Sequence, residues 1–273
     1  MTEQTSHLVT ESFLASSTGT EVEYKILVPN AIRAGQALPL ILHFHGALSS
    51  AKSLEAAIPA YDLAWKKGEL PPAIVACAST PTLGGFYIDH VGGPSWESLV
   101  SLDLPRHLAN RYALVPQWAA IGASMGGYGA LKVALRRPSN CVAVAALSPA
   151  IFPAETSERV PMRNLSSVLN DLNLAMGTDI ATYASNSVYG ILRNNLVSLS
   201  KVAPQIFIDC GEKDEFNLHD GAVYLHEALD RLSIPHTFKS IPGACHADEH
   251  TSARQETAIR FLGNALRAAL LTN

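Results

Sequence analysis

The sequence is short of charge. Charged residues make up 16% of the 273 residues and the net charge is −4, whereas an average domain has about 25% charged residues. Without a basic excess, the chain lacks the electrostatic footprint of a nucleic-acid-binding protein, and we expect no nucleic acid among its partners. The low charge density favours an apolar substrate site or a homo-oligomer, and a large buried core explains it equally well.

Long apolar runs are also missing. No stretch of about 18 apolar residues occurs, so we expect neither a membrane-spanning helix nor a membrane partner. The first residues, Met1, Thr2 and Glu3, lack the basic and apolar regions of a signal peptide. Together these features predict a cytoplasmic protein.

The sequence has few cysteines, and their spacing matches no paired motif. The chain has four cysteines and no C-x-x-C motif, which predicts free, mostly buried thiols rather than a disulfide framework. Two histidine sets, His43 with His45 and His246 with Asp248 and His250, match no known metal-ligand spacing. We therefore expect no metal site and no cofactor.

Apolar runs alternate with helical patterns along most of the chain. Residues 7–28 predict an antiparallel hairpin at a sheet edge. Strands are expected over 39–44, 73–79, 118–121, 142–147, 205–210 and 236–241, of which the first two are expected to be buried. Helices are expected over 51–67, 97–112, 128–137, 215–232 and 251–271. This alternation predicts one α/β domain over 1–273, with a mostly parallel sheet and helices on both faces. Residues 149–203, rich in Pro, Ser and Asn, interrupt the alternation and predict an inserted, cap-like segment over the carboxyl edge of the sheet.

The segment 122–127, Gly-Ala-Ser-Met-Gly-Gly, lies between a strand-like run and a helical pattern. This is the context of a nucleophile elbow, in which Ser124 occupies a turn too sharp for side chains on either side. The amide of Met125 opens the helix and can face a developing oxyanion. Taken alone, the segment is also compatible with a phosphate-binding or packing turn.

Two further residues follow later strands. In doubly wound sheets, sites form at the carboxyl ends of strands. Asp214 follows the strand 205–210, and His246 follows the strand 236–241. The order Ser124, Asp214, His246 is that of an α/β-hydrolase triad. The histidine would accept the serine proton, and the carboxylate would fix the tautomer of the histidine.

Alternatives remain for both partners of the serine. Asp214 could be a helix N-cap, and Asp209, Glu212 and Glu215 are rival acids, of which Asp209 lies inside a strand and should point to a helix layer. His250 is the rival base. A second oxyanion donor is expected after the strand 39–44, where the amide of Ala47 can face the site.

The chain resembles the Putative esterase family of α/β-hydrolases. That family includes esterase D (S-formylglutathione hydrolase), feruloyl and acetyl-xylan esterases, and secreted mycolyltransferases. The resemblance extends over most of the chain, through His45-Gly46, residues 122–130, Gly-Glu-Lys-Asp at 211–214 and Pro-Gly-Ala-Cys-His at 242–246. It implies an α/β-hydrolase fold with catalytic Ser124, Asp214 and His246 and oxyanion amides at Ala47 and Met125. The oxyanion loop lacks the Leu-Thr-Cys type segment of formylglutathione hydrolases.

These patterns predict a serine carboxylesterase that cleaves a small-molecule ester with a small or medium acyl group, through an acyl-enzyme on Ser124. Residues 85–97 are similar to the loop that borders the site in relatives, so we expect Trp96, with Leu48 and Tyr87, to line the substrate pocket. Thioester hydrolysis, acyl transfer and peptide cleavage remain alternatives that use the same triad. A hydrolase-fold binding protein without catalysis is the alternative of another class.

Overall fold

The fold is built on an eight-stranded sheet, seen in a computed structural model that describes residues 5–33 and 35–272. The strands are β1 (Ser6–Ala15), β2 (Thr20–Pro29), β3 (Leu38–Phe44), β4 (Ile74–Ala78), β5 (Leu114–Ala123), β6 (Cys141–Leu147), β7 (Gln205–Gly211) and β8 (His236–Ile241). Their order across the sheet is β1-β2-β4-β3-β5-β6-β7-β8. The β1–β2 hairpin and the β2–β4 pair are antiparallel, and all other pairs are parallel. The predicted α/β-hydrolase architecture with an edge hairpin is confirmed.

Helices cover both faces of this sheet. They are α1 (Ser53–Lys66), α2 (Trp96–Ser98), α3 (Leu104–Ala109), α4 (Met125–Arg136), α5 (Val168–Ala175), α6 (Ile180–Asn186), α7 (Val188–Asn194), α8 (Leu196–Leu199), α9 (Leu218–Arg231) and α10 (Thr251–Thr272). Helices α1 and α10 bury Tyr61 and Leu262 in one core layer, whereas α4 and α9 bury Leu131 and Leu225 in the other. The central strands are apolar on both sides because each side faces a helix layer. Among the described helices, none combines the length and apolarity needed to cross a membrane.

The segment 149–203 packs mainly beside α4 and α9. Asn186 and Asn195 contact α4, where the Asn195 amide donates to the carbonyl of Leu135. Tyr189 donates to the carbonyl of Gly221 in α9. The first part of the segment lies near the carboxyl edge of the sheet, where the amide of Ala150 donates to the carbonyl of Ser124 and the Asn164 side chain donates to the carbonyl of Asn217 just before α9. The later part packs beside α4 and α9. The cap-like role expected for the segment stays a prediction.

The helix expected over 97–112 is divided into three pieces. A π-helical turn, Leu99–Asp103, separates α2 from α3, and Pro105 lies in the first turn of α3. Proline lacks the N–H that a continuous helix needs, and its ring displaces the preceding turn, so the helix restarts there. The four cysteines are free thiols, as predicted, and only Cys245 is not fully buried.

A buried ionic cluster joins two segments to α4. Lys132 is fully buried and its Nζ lies 3.1 Å from Glu97 Oε2. The same ammonium donates to the carbonyl of Tyr87 at 2.9 Å and to Oδ1 of Asn186 at 3.2 Å, while Arg136 lies against the other carboxylate oxygen of Glu97. A charge this deep is stable only when its partners surround it. The cluster therefore holds residues 87–97 and the segment 149–203 on the helix that begins directly after Ser124.

Replacement of Lys132 by an uncharged residue should show how much the cluster contributes to the stability of the fold. We expect Lys132→Met to lower the free energy of unfolding by about 3 kcal/mol, because Glu97 keeps Arg136 but loses its buried ammonium. Urea denaturation followed by circular dichroism measures the loss. Lys67→Met is the matched control, since Lys67 is half-exposed and its contact with Glu256 is 4.0 Å long, so about 1 kcal/mol or less is expected. Equal losses in the two variants would contradict a stabilising role for the cluster.

Candidate active site

Ser124 lies between the end of β5 and the start of α4 in a left-handed backbone conformation, with φ 57° and ψ −121°. A non-glycine residue adopts this conformation only where its surroundings compensate the strain. Here the amide of Ser124 donates to the carbonyl of Leu147, and its carbonyl accepts from the amides of Tyr128 and Ala150. The residue is half-buried, so its hydroxyl group is available at the carboxyl edge of the sheet.

The glycines on either side of Ser124 permit very close backbone packing. A Cβ atom on Gly122 would lie 2.3 Å from the carbonyl oxygen of Gly126. One on Gly126 would lie 2.1 Å from the carbonyl oxygen of Phe44 and 2.9 Å from that of His45. The start of α4 therefore lies directly against the end of β3, which brings the loop after β3 beside Ser124.

That loop is held by a buried histidine. His45 Nε2 accepts from the amide of Thr80 at 3.0 Å, so Nδ1 carries the proton and donates to the carbonyl of Gly46 at 2.8 Å. Burial lowers the pKa of His45 in spite of these hydrogen bonds, which keeps the ring neutral. The hydroxyl of Tyr87 donates to the carbonyl of His45 at 3.0 Å. Thr80 and Tyr87 thus hold the loop after β3 on its buried side.

Two backbone amides beside Ser124 are free to donate. Within the described part of the chain, the amides of Ala47 and Met125 have no hydrogen-bond acceptor. Met125 is buried at the first position of α4 and Ala47 is half-buried in the loop after β3. Unpaired amides at a helix start and in a tight loop are what an oxyanion site requires.

Asp214 and His246 form the contact expected of an acid and a base. Asp214 Oδ2 lies 2.7 Å from His246 Nδ1, and the Asp214 side chain is fully buried whereas that of His246 is 17% exposed. Burial acts to raise the pKa of Asp214, but the hydrogen bond and charge of His246 and the amides of Phe216 and Leu218 outweigh it and lower that pKa. The ionised carboxylate therefore holds the proton of His246 on Nδ1 and leaves Nε2 to face other groups. Phe216 packs edge-on against the imidazole at 4.9 Å.

The loops that carry these two residues touch at their bases. A Cβ atom on Gly211 would lie 2.3 Å from the carbonyl oxygen of Ala244, and the amide of Lys213 donates to that same carbonyl. Asp214 also accepts from the amide of Leu218 at 3.5 Å, in the first turn of α9. The N-cap of α9 is Asn217, so the alternative that Asp214 is the N-cap of this helix is wrong.

The rival residues have other partners. Asp209 is buried against the guanidinium of Arg254 at 2.7 Å, on the side of α10, as its place in a strand predicted. Glu215 accepts from the backbone amide of His246, and Glu212 accepts from the hydroxyl of Ser240. His250 is exposed at the start of α10.

The set of His246, Asp248 and His250, considered above as possible metal ligands, also has another explanation. The two carboxylate oxygens of Asp248 accept from the amides of Cys245 and His250. These bonds fix the turn that follows His246 and occupy the oxygens that a metal would need. Asp248 therefore shapes the loop of the candidate base.

Ser124, Asp214 and His246 follow neighbouring strands of the sheet. Ala123 pairs with Leu147 of β6, and Leu147 pairs with Asp209 of β7, which in turn pairs with β8. Because these strands are parallel, their carboxyl ends meet at one edge. In the described residues no hydrogen bond joins the Ser124 hydroxyl to His246, and in enzymes without substrate this contact is often long.

The three residues expected to line the pocket differ in exposure. Leu48 is 85% exposed, with φ 57°, and its amide donates to Thr82 Oγ1. Trp96 is half-buried and packs on the core at the start of α2. Tyr87 is 1% exposed, so it has no surface left for a substrate, and the expectation that it lines the pocket is wrong. Its hydroxyl instead supports the loop after β3.

A cavity of about 330 Å³ lies beside the elbow on the side of α1 and α10. Its lining includes Gly46 and Ala123, which precede Ala47 and Ser124 respectively. The rest of the lining comes from His43, Ala56, Gln255 and other residues of β3, β5, β6, α1 and α10. No sequence pattern indicated this cavity, because its walls come from elements far apart in the chain.

Comparison with known proteins gives a family match over most of the chain. The family model described as "Putative esterase" matches residues 15–255. Among curated proteins, the MPT51 antigen of Mycobacterium leprae is 37% identical over 67 residues, which are 24% of this chain and 22% of that protein. The MPT51/MPB51 antigen of Mycobacterium tuberculosis is 34% identical over the same length. The chain thus matches less than a quarter of the length of these relatives.

Solved structures of similar fold cover nearly the whole chain. A ferulic acid esterase has a TM-score of 0.78 at 18% identity and covers 96% of this chain and 99% of its own. An S-formylglutathione hydrolase from Agrobacterium tumefaciens has a TM-score of 0.78 at 18% identity, with coverages of 97% and 98%. A fluorophosphonate-binding serine hydrolase of Staphylococcus aureus has a TM-score of 0.70 at 20% identity, with coverages of 95% and 97%. At these identities the likeness shows the fold alone.

The buried histidines of β3 and its loop predict a pH dependence of stability. Burial, assisted by the nearby His45, lowers the pKa of His43 to about 4 from its usual 6.5. As the pH falls from 6.5 toward 4, the unfolded chain takes up a proton that the folded chain refuses, so folded stability decreases over this window. We expect His43→Gln to flatten part of this decrease in urea denaturation at pH 7.5, 6.5, 5.5 and 4.5, values chosen to span about that window.

His7→Gln is the control for this measurement, because His7 is exposed on the edge strand β1 and the variant should follow the wild-type curve. A His43→Gln curve with the wild-type slope would show that His43 does not contribute to acid sensitivity.

Proposed function

Because the chain belongs to the Putative esterase family of α/β-hydrolases, and is thus a hydrolase that acts on esters, we propose that it is a serine carboxylesterase with an acyl-enzyme on Ser124. The observation that carries the proposal is the contact between Asp214 Oδ2 and His246 Nδ1 at 2.7 Å. It joins the ends of β7 and β8, two and three strands away from the one that ends at Ser124. A small-molecule ester is the substrate, and the reaction needs neither a cofactor nor a metal.

The proposed reaction has two halves. In the first, His246 Nε2 takes the proton of the Ser124 hydroxyl as the oxygen attacks the ester carbonyl carbon. The oxyanion of the tetrahedral intermediate is stabilised by the amides of Met125 and Ala47, each worth about 3 kcal/mol of transition-state stabilisation. His246 then protonates the departing alcohol, and the acyl group remains on Ser124.

In the second half, water replaces the alcohol. His246 Nε2 takes a proton from water as the oxygen attacks the acyl carbonyl, and returns it to Ser124 when the carboxylic acid leaves. Asp214 stays ionised throughout, because its contact with His246 favours the charged carboxylate. The role of Asp214 is to orient His246 and to stabilise the imidazolium that forms in each half.

The cavity between α1 and α10 is the proposed acyl pocket. Its lining includes Gly46 and Ala123, the residues that precede the proposed oxyanion donor and nucleophile. Its volume of about 330 Å³ suits a small or medium acyl chain. The alcohol group then extends toward the exposed side, where Leu48 and Trp96 remain candidate contacts.

Replacement of the nucleophile tests the mechanism. We expect Ser124→Ala to lower kcat/KM for p-nitrophenyl acetate by about 10⁴-fold or more, because no other group can form the acyl-enzyme. A fluorophosphonate probe should label the wild type and not the variant. Ser167→Ala is the matched control, since Ser167 shares the left-handed backbone, with φ 53° at the start of a helix, but has no histidine partner in the proposed mechanism. A folded Ser124→Ala protein that keeps most of the activity would overturn the mechanism.

A substrate panel separates the remaining alternatives. Acetyl, butyryl and aryl esters, a thioester such as an acylated glutathione, and an alcohol acceptor are compared under one set of conditions. Higher kcat/KM for the thioester, or product acylated on the acceptor, would replace ester hydrolysis by the corresponding reaction on the same Ser124. Failure of the probe to label Ser124 would favour the binding protein without catalysis.

The acyl pocket makes a separate prediction. Ala56 lies on the exposed side of α1 at the cavity, so Ala56→Phe should fill the cavity without disturbing the core. We expect kcat/KM for the butyryl ester to fall about tenfold more than that for the acetyl ester, because the longer chain loses its space. Ala181→Phe, on an exposed position of α6, is the control. Equal effects on both esters would place the acyl group elsewhere.

A further inference from the structure

A cluster of two histidines and an aspartate lies at the amino end of the edge strand β8. His226 and Asp230 are four residues apart on α9, and His236 is the first residue of β8. One ligand atom from each of the three side chains lies within 4.8 Å of the others. The cluster is separate from Asp214 and His246, because β7 and β8 are parallel and those two residues follow their opposite ends.

The two imidazoles face each other directly. His226 Nδ1 lies 2.7 Å from His236 Nε2. The carboxylate of Asp230 stands beside both rings, with Oδ2 3.6 Å from His226 Nε2 and Oδ1 4.0 Å from His236 Nε2. Two imidazole nitrogens and a carboxylate oxygen therefore converge on one small volume.

Each ring is oriented by a neighbour outside the cluster. His236 Nδ1 is 2.9 Å from the carbonyl of Ile234, to which it donates its proton, so Nε2 carries the lone pair that points at His226. The ring of His226 stacks on Phe238 at 4.7 Å, with an angle of 21° between the planes. Metal-bound histidines commonly have such a partner on the other nitrogen, which fixes the tautomer and aims the ligand atom.

Burial of the cluster decreases from one side to the other. The side chain of His236 is 4% exposed, that of His226 is 35% exposed and that of Asp230 is 63% exposed. The deep histidine is held rigidly, and the two helix residues can adjust. An ion can thus enter from solvent and meet the fixed nitrogen without any change in the core.

We propose that His226, Asp230 and His236 bind a zinc ion. Two imidazole nitrogens and one carboxylate oxygen, with a water molecule as the fourth ligand, form a tetrahedral set that Zn²⁺ accepts. Two nitrogens on one tetrahedral zinc are about 3.3 Å apart, so the present 2.7 Å separation needs only a small rotation of the exposed His226 ring. The proton shared between the rings leaves as the ion binds, since both nitrogens must offer lone pairs.

The bound ion would link α9 to β8. Helix α9 begins just after the loop of Asp214, and β8 leads to the loop of His246, but the ion itself would sit at the far end of both elements. We therefore expect zinc to raise thermal stability, through preferential binding to the folded chain.

Calorimetric titration with zinc chloride tests the site, on the full chain free of any histidine tag. The wild type is compared with His226→Gln and Asp230→Asn, both exposed enough to be replaced without loss of the fold. Two control variants test whether other potential zinc ligands account for the binding. His219→Gln removes another histidine of α9 that contacts β8 through Ser240, and Cys245→Ser removes the one thiol that is not fully buried. Co²⁺ absorption gives an independent reading of nitrogen coordination.

The proposal predicts one ion per chain in the wild type and in both controls. His226→Gln should weaken binding at least about tenfold, since the loss of even an outer partner of a metal ligand has this effect, and should abolish the rise in Tm caused by zinc. Absence of stoichiometric binding in the wild type at micromolar zinc would overturn the proposal, and so would unchanged binding in His226→Gln. Either result would leave a hydrogen-bonded imidazole pair at this position.

Discussion

The close contact between Gly126 and the end of β3 is the constraint on which the candidate active site depends. A Cβ atom at Gly126 would collide with the carbonyl of Phe44 at 2.1 Å, so only glycine allows α4 to begin there. This contact sets the distance between the turn of Ser124 and the loop of Ala47. The left-handed conformation of Ser124 is in turn maintained by hydrogen bonds to β6 and to Ala150. Strain at one residue is thus compensated by the packing of three strands' ends around it.

The loops around this contact are held from the buried side by polar groups. His45, neutral because burial lowers its pKa, joins the loop after β3 to Thr80. Lys132 joins α4 to the backbone of Tyr87 and to Glu97. These interactions do not touch a substrate. They hold the loop after β3 and helix α4, which carry the amides of the proposed oxyanion site.

Much of the fold was readable from the sequence because the buried parallel strands have continuous apolar patterns. The strand 142–147, for example, was predicted to within one residue of its observed bounds, Cys141–Leu147. The contact between Asp214 and His246 was also predictable, since each follows its own strand and parallel strands end at a common edge. The direct contact of Ser124 with His246 and the donor roles of Ala47 and Met125 stay predictions, as does the cytoplasmic location.

Other features had no local signal. Tyr87 was expected in a pocket wall, but aromatic residues in an irregular loop give no information on which way they face, and this one is buried under the loop after β3. The contacts of Asn186 and Tyr189, in the segment 149–203, with α4 and α9 had no sequence signal either, and the cap-like role of the segment stays a prediction. His226 and His236 meet only because a tight turn folds the end of α9 back onto β8. Composition and spacing do not encode such meetings across elements.

Some of the chain's few charged side chains lie in the core. Several charged side chains are buried in pairs beside the candidate site, notably Glu97 with Lys132 and Asp209 with Arg254. Each pair is costly to remove from water and is retained only where hydrogen bonds surround it. Arg254 is one such buried charge. Its guanidinium donates hydrogen bonds to Asp209 of β7, to Ser148 after β6 and to the carbonyl of Cys245. One buried cation from α10 therefore fixes the backbone on both sides of the loop that carries His246, and it keeps Asp209 from competing with Asp214 for the imidazole.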